Sequence, residues 1–340
     1  MNQDLNKNSA QNSQENILVA TNIKKYFPIR KGFFLRHVAD VKAVDDVSLT
    51  VRQGETLGLV GESGCGKSTL GRTLIRLYEP TAGSIEFEQK DFLKASGKDL
   101  RLARKDIQMI FQDPYASLDP RMTVGQIIRQ PFEIHNVGSG AEREKRVKEL
   151  LELVGLKASH VNRYPHEFSG GQRQRICIAR AIALNPKLII CDEPVSALDV
   201  SIQAQILNLL KDLQEQLGLT YVFISHDLSV IEYFCDRVAV MYLGKIVEIG
   251  TRDEMFNSPK HPYTQALLSA IPRVGEGKKA MKKSLSGEVP SPISPPPGCT
   301  FHPRCPHAMD ICAQHIPKLE GNNTQSVACH LYDANLKLKK

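Results

Sequence analysis

Gly61-Glu62-Ser63-Gly64-Cys65-Gly66-Lys67-Ser68-Thr69 is the stretch that decides the fold, because it fits G-x-x-x-x-G-K-[ST] between a strand-like run and a helix-like one. Its glycines let backbone N–H groups turn inward onto a polyphosphate, and the N-terminal end of the following helix adds partial positive charge. In such a loop Lys67 reaches the terminal phosphates and the Ser68 hydroxyl is offered to Mg²⁺, while Thr69 begins a helix running through Leu70, Leu74 and Leu77. Upstream, Thr56-Leu-Gly-Leu-Val60 reads as a buried strand, so the strand–loop–helix context is present. At an average glycine usage of about 7%, a chance match would arise roughly once in a hundred such chains.

Outward from the loop, residues 17–23 and 41–51 are short apolar strand candidates, separated by a basic loop holding Gly32, Phe33 and Phe34. They suggest a small antiparallel sheet. Residues 84–87 alternate like a strand, and Ile107-Gln-Met-Ile-Phe111 reads as a central one. From about 113 to 180 the character is helical: Val147, Leu150, Leu151 and Val154 make one apolar stripe, with Glu and Lys on the opposite face. Leu188-Ile-Ile-Cys-Asp192, Tyr221-Val-Phe-Ile-Ser225 and Val238-Ala-Val-Met-Tyr242 return as strands, the first two separated by a helical stretch at 201–216, which predicts a parallel α/β core.

The 340 residues exceed one ordinary domain, and 41% hydrophobic with 24% charged residues is the composition of a globular protein. No run approaches the roughly eighteen apolar residues that a membrane span requires. A net charge of +7 is mild at this size and decides little about partners. Residues 1–16 hold five Asn and three Gln without the basic-then-apolar order of a secretion signal, so they read as a disordered leader on a cytosolic protein. Residues 273–298 are rich in Lys, Ser and Pro, with five prolines among the eight residues at 290–297, and read as an extended linker.

Three strand ends carry polar groups. Phe111-Gln112-Asp113-Pro114 sets an amide at the first, which alone is an ordinary strand-to-loop turn. Asp192-Glu193-Pro194 delivers two carboxylates at the second, the first suited to holding Mg²⁺ and the second to polarising a water for attack on the γ-phosphate. Ser225-His226-Asp227 puts an imidazole on the same sheet edge, within reach of a γ-phosphate. A solvated acidic loop is the plainer reading of the carboxylates, and the third strand end weakens it.

Phe168-Ser169-Gly170-Gly171-Gln172-Arg173-Gln174-Arg175 resembles the signature sequence of ABC ATPases, at the usual interval before the Asp-Glu pair. The resemblance covers residues 17–272. It implies that Tyr26 stacks on adenine, that Gln112 is the Q-loop glutamine contacting metal and water, and that Ser169, Gly170, Gly171 and Gln172 form a second anion-binding end. It also makes Asp192 the Walker B ligand, Glu193 the catalytic base, Asp199 the D-loop aspartate and His226 the switch histidine. In that family two ATP molecules are sandwiched between two head-to-tail nucleotide-binding domains, and the helical insert faces the membrane subunits. Asn162-Arg-Tyr-Pro-His-Glu-Phe168, Pro194-Val-Ser-Ala-Leu-Asp-Val-Ser201 and His261-Pro-Tyr-Thr264 resemble more closely the ATP-binding subunits of oligopeptide and dipeptide importers, the F-type subunit above all. The implied partners are a second ABC ATPase chain, two integral-membrane permeases and, indirectly, an extracytoplasmic peptide-binding protein. Nucleic acid is not implied, and the implied location is the cytoplasmic face of the membrane.

Rival readings are the same motor serving nickel or glutathione import, a non-hydrolysing scaffold, and a soluble ABC ATPase acting on DNA or ribosomes. Against the last, the 169 − 67 = 102 residues from Lys67 to Ser169 are too few for the long coiled coil of chromosome-maintenance proteins. The intact Glu193 and His226 argue against a scaffold.

Residues 299–340 are a small Cys-rich tail in which Cys299, Cys305, Cys312 and Cys329 follow C-x5-C-x6-C-x16-C. In a reducing cytosol such clustering speaks for metal rather than disulfides. The absence of a C-x₂₋₄-C knuckle ranks a [4Fe–4S] cluster ahead of Zn²⁺. Cys65, Cys177, Cys191 and Cys235 read instead as small buried hydrophobes.

Overall fold

The computed structural model describes residues 15–270, 287–322 and 324–333. Nearly all of the polar leader, the first half of the Pro-rich stretch and the last seven residues lie outside the described residues. In chain order the strands before the helical region are β1 (Asn16–Lys31), β2 (Arg36–Arg52), β3 (Thr56–Val60), β4 (Ala82–Phe87), β5 (Lys90–Asp91) and β6 (Ile107–Ile110). After it come β7 (Leu188–Asp192), β8 (Thr220–Ile224), β9 (Arg237–Tyr242), β10 (Lys245–Thr251), β11 (Glu320–Gly321) and β12 (Gln325–Val327). The helices are α1 (Lys67–Leu74), α2 (Gly97–Asp106), α3 (Val124–Ile134), α4 (Gly140–Leu153) and α5 (Gly170–Ile182), followed by α6 (Val200–Leu217), α7 (Leu228–Phe234), α8 (Arg252–Asn257), α9 (Pro262–Ser269) and α10 (Asp310–Gln314).

β1 and β2 run well beyond their apolar centres and form one long hairpin, which joins β4 and β5 in an antiparallel sheet of order β2-β1-β4-β5. The core sheet has the order β11-β12-β10-β9-β3-β8-β7-β6, parallel from β9 through β6. Its central strands β3, β7 and β8 are buried at every position and mostly apolar, because both faces are covered. Leu57, Leu59, Ile190, Val222 and Ile224 face α1 and the antiparallel sheet, while Ile189, Cys191, Tyr221 and Phe223 face a second core built on α3 to α6. β6 is an edge strand, not the central one its composition predicts. Ile107 and Met109 are buried in one core and Ile110 in the other, so a strand covered on both faces reads as central although one edge has no strand beside it.

The helical region obeys local capping chemistry. Thr123 with Gln126, Ser139 with Glu142 and Ser169 with Gln172 each form a reciprocal capping box, starting α3, α4 and α5. Gly218 ends α6 in the left-handed conformation, at φ 65.

The Cys-rich tail does not stand apart from the ATPase core. β12 pairs with β10 (Glu248↔Val327), extending the core sheet, and Phe301 is fully buried against Tyr242, Tyr263 and His261. A segment too poor in apolar residues to fold alone thus borrows the edge and core of a larger sheet.

Candidate active site

The phosphate loop leaves β3 and enters α1 through positions that only glycine can fill. At Gly61 (φ +151) a Cβ would lie 2.1 Å from the Met241 carbonyl oxygen, and at Gly66 (φ +106) 2.0 Å from that of Ala43. Lys67 is buried, and its Nζ donates to the carbonyls of Gly61 (2.7 Å) and Glu62 (3.0 Å). Burial pushes the Cys65 thiol up, and the side chain packs in the core beneath the loop. A cavity of ≈ 380 Å³ opens above the loop, lined by Ser63, Gly64, Cys65, Gly66, Lys67, Ser68 and Thr69, with Gln112 and Glu193 at one side and Phe27, Val41 and Pro292 also in its wall.

Parallel register brings the polar strand ends level, since Ile110 pairs with Cys191 and Asp192 with Ile224. Asp192, wholly buried, accepts from Ser68 Oγ at 2.7 Å and from Arg72 Nη2 at 3.3 Å. Glu193 turns sharply out of the strand at φ 47, a costly conformation for a non-glycine residue, held by its N–H donating to the Ile224 carbonyl at 3.0 Å. That turn places its Oε2 3.0 Å from Gln112 Nε2 and 3.1 Å from His226 Nδ1. The structure therefore brings Gln112, Glu193 and His226 together from three strands. Ser68, Asp192 and Gln112 offer only oxygen among their acceptors, a donor set that suits a hard cation such as Mg²⁺.

Tyr26, to which the resemblance gives the adenine stack, is not among the residues lining this cavity. Its hydroxyl donates to Asp45 Oδ1 at 2.5 Å, and Phe27 lines the cavity instead, edge-on to Tyr78. Register shifts between Ala20 and Ile23, Ile23 and Lys25, and Lys25 and Tyr26 break the simple alternation of β1, so the inward parity cannot be counted along the strand. Ser169, Gly170, Gly171 and Gln172 line no part of this cavity; they sit at the N-terminus of α5, where Ser169 and Gln172 cap one another. Asp199 is exposed at the start of α6, its side chain making no cap bond.

Arg72 could have been found from sequence, because it lies four residues after Ser68 on the same face of α1. A larger cleft of ≈ 750 Å³ shares Gln112 but none of the phosphate loop; Arg72, Phe111, Pro131, Ile134, His135 and Arg180 are among its walls.

The four tail cysteines are free thiols in one neighbourhood. Burial pushes the Cys329 thiol up to about 11, and the nearby Cys299, Cys305 and Cys312 add to the rise. Among the described residues, however, no three His, Cys, Asp or Glu side chains are grouped as a metal-ion site. The metal centre expected at these cysteines is not formed by the described side chains.

With the geometry in place, similarity to known proteins is decisive. A family model for the ABC transporter matches residues 44–196, and one for the oligopeptide/dipeptide transporter C-terminal region matches residues 247–312. An oligopeptide transport ATP-binding protein, AppF of Bacillus subtilis, is 58% identical over 94% of this chain and 98% of its own length. The chain belongs to the oligopeptide/dipeptide branch of the ABC transporter ATP-binding proteins. A second such protein, the dipeptide transport ATP-binding protein DppF of Escherichia coli, is 52% identical over 94% of this chain and 96% of its own. Among solved structures, the dimeric ATP-binding cassette MJ0796 in a post-hydrolysis state with ADP and Pi is 32% identical, with a TM-score of 0.61 over 69% of this chain and 98% of that one. As a member of this family the chain has the ABC ATPase fold and is an ATPase. Among the described residues no helix is long and apolar enough to cross a membrane.

Proposed function

We propose that this chain is the ATP-hydrolysing subunit that powers import of oligopeptides or dipeptides through a membrane ABC transporter. The observation that carries the catalytic half is the convergence of Gln112, Glu193 and His226 beside the phosphate loop. In this reading Glu193 takes a proton from the attacking water, oriented by its bonds to Gln112 and His226, and His226 contacts the γ-phosphate. Lys67 and the loop N–H groups bind the phosphates, while Ser68, Asp192 and Gln112 would hold Mg²⁺, which would supply charge neutralisation there. Phe27, in place of Tyr26, stacks on the base.

The signature end of α5 lies outside the cavity, and this supports a second chain supplying it, so that each ATP is closed between two ATPase subunits. Of the transporter's two permeases, one docks on this chain at the cleft beside Gln112 and the other on the second ATPase chain, with a peptide-binding protein on the far side of the membrane. The chain works at the cytoplasmic face as a peripheral subunit. The division proposed is a leader at 1–16, an ATPase domain at 17–272 with its insert at about 113–180, a linker at 273–298 and an extension at 299–340. The C-x5-C-x6-C-x16-C spacing is what supports an iron–sulfur cluster ahead of zinc in that extension, whose described side chains are not themselves grouped as a metal site. Metal and sulfide analysis of anaerobically purified protein tests this, and a protein holding neither iron nor zinc refutes it.

The transport reading is tested by pull-down from detergent-solubilised membranes together with uptake of labelled peptide by a deletion strain. Co-purifying permeases and uptake restored by the intact gene support it. Normal peptide uptake without the gene overturns the assigned cargo.

A further inference from the structure

Glu62 is the first variable position of the phosphate-loop motif, so nothing in the motif calls for a carboxylate there. A negative charge inside a loop that cradles a polyphosphate is electrostatically adverse unless it is neutralised. The structure neutralises it from far away in sequence. Arg304, in the C-terminal extension, forks onto the Glu62 carboxylate, Nη1 to Oε2 at 2.7 Å and Nη2 to Oε1 at 3.1 Å. The Arg304 side chain is only 4% exposed, lies over the ring of Tyr242 and reaches that residue's hydroxyl at 3.5 Å. The backbone of Glu62 is held as well, its N–H donating to the Tyr263 hydroxyl at 2.9 Å.

Arg304 and Glu62 do not line the cavity themselves; the extension touches its wall at another place. The Pro292 carbonyl accepts from the Lys42 N–H at 3.1 Å, and Pro292 itself is part of the cavity wall. Between these contacts, buried Phe301 anchors the segment against Tyr242 and Tyr263. The extension therefore touches its own chain's site at two points, the cavity wall at Pro292 and the phosphate loop's Glu62 through Arg304.

We infer that Arg304 is a positioning residue for ATP turnover: by neutralising and immobilising Glu62 it holds the phosphate loop in its ATP-binding shape, which makes the C-terminal extension part of the nucleotide site. The inference rests on the reading of residues 61–69 as an ATP site. A bidentate guanidinium–carboxylate pair fixes geometry as well as charge, so its loss weakens binding of substrate and transition state alike.

The test uses the full chain with a fluorescent ATP analogue and steady-state hydrolysis. Arg304→Gln raises the analogue's Kd and the KM for ATP by about tenfold or more, with kcat changed by less than about threefold. Adding Glu62→Gln removes the unneutralised charge, so the double variant binds nucleotide more tightly than Arg304→Gln alone. A residue that merely glued the tail in place would show no such rescue. Wild-type affinity in folded Arg304→Gln, or no improvement on adding Glu62→Gln, overturns the inference. If Arg304→Gln does not fold, Arg304→Lys decides: it keeps the charge and loses the fork, and an unchanged Kd refutes the role. Lys67→Ala is the companion control, because unchanged binding there refutes the ATP site itself and leaves Arg304 blameless.

Discussion

α1 and α5 both begin at glycine-rich turns that suit an anion, yet they are held in opposite ways. The turn before α1 is enclosed at its two ends, around exposed Ser63 and Gly64: Met241 and Ala43 crowd Gly61 and Gly66, Tyr263 and Arg304 hold Glu62, and Asp192 holds Ser68. The turn before α5 is exposed at Ser169 and Gly170, and its cap is satisfied within four residues, by Ser169 and Gln172 alone. Only Gly171 is crowded, by Ile202 at 2.5 Å from a built Cβ. The enclosed end is preorganised by its own chain to bind, whereas the open end is shaped to be presented to something else.

Glu193→Gln puts the most weight on the two ends acting together. The variant loses the base but keeps both turns, so ATP turnover falls on the order of 10²-fold or more while ATP still binds and the paired state persists. Size-exclusion chromatography with ATP reads the pairing, and near-normal turnover would sink the assignment of Glu193.

Ser169→Arg separates the ends. It should leave the isolated chain's ATP affinity unchanged and lower turnover by roughly ten- to a hundredfold, the scale of one lost hydrogen bond to a charged group. Parallel titrations of this variant and of Lys67→Ala make the contrast, and a matching loss of affinity in both would show that the two ends belong to one site within the chain.

Within the enclosed end, Phe27→Ala should weaken ATP binding roughly tenfold, the scale of one base–aromatic stack, and Tyr26→Ala markedly less. Equal losses would return the base to Tyr26.

The smallest effect concerns the buttress behind the enclosed end. His261 is buried, and burial lowers its pKa from 6.5 to about 3; its Nδ1 accepts from the Tyr263 N–H at 3.1 Å at the start of α9. The unfolded chain therefore takes up a proton below pH 6.5 that the folded chain refuses. The stability contributed by neutral His261 is complete above 6.5 and is lost as pH falls from 6.5 towards 3, by roughly 1 kcal/mol per pH unit. His261→Asn keeps a capping acceptor without the titration, so its melting temperature should depend less on pH between 6.5 and 5 than that of the wild type. Identical pH profiles for the two proteins would count against this linkage.

Much of the site is legible in the sequence because its chemistry is local. A phosphate cradle, a strand-end carboxylate pair and a capping box each need residues within one turn or one loop, and their spacing records them directly. Phe27 is hidden because bulges in β1 break the count of alternation, and β6 reads as central because burial on both faces reports what covers a strand and not what lies beside it.

The contiguous chain alone determined the phosphate loop, the three polar strand ends, the signature turn and the parallel core, since backbone geometry and side-chain period are properties of neighbouring residues. Tertiary structure alone decided which aromatic enters the cavity, that the Cys-rich tail completes the core sheet, and that Arg304 lies on Glu62. Those two residues are 242 positions apart, and their pairing depends on the whole fold between them, which places strand β10 and the Tyr242–Tyr263 cluster where the returning chain can dock.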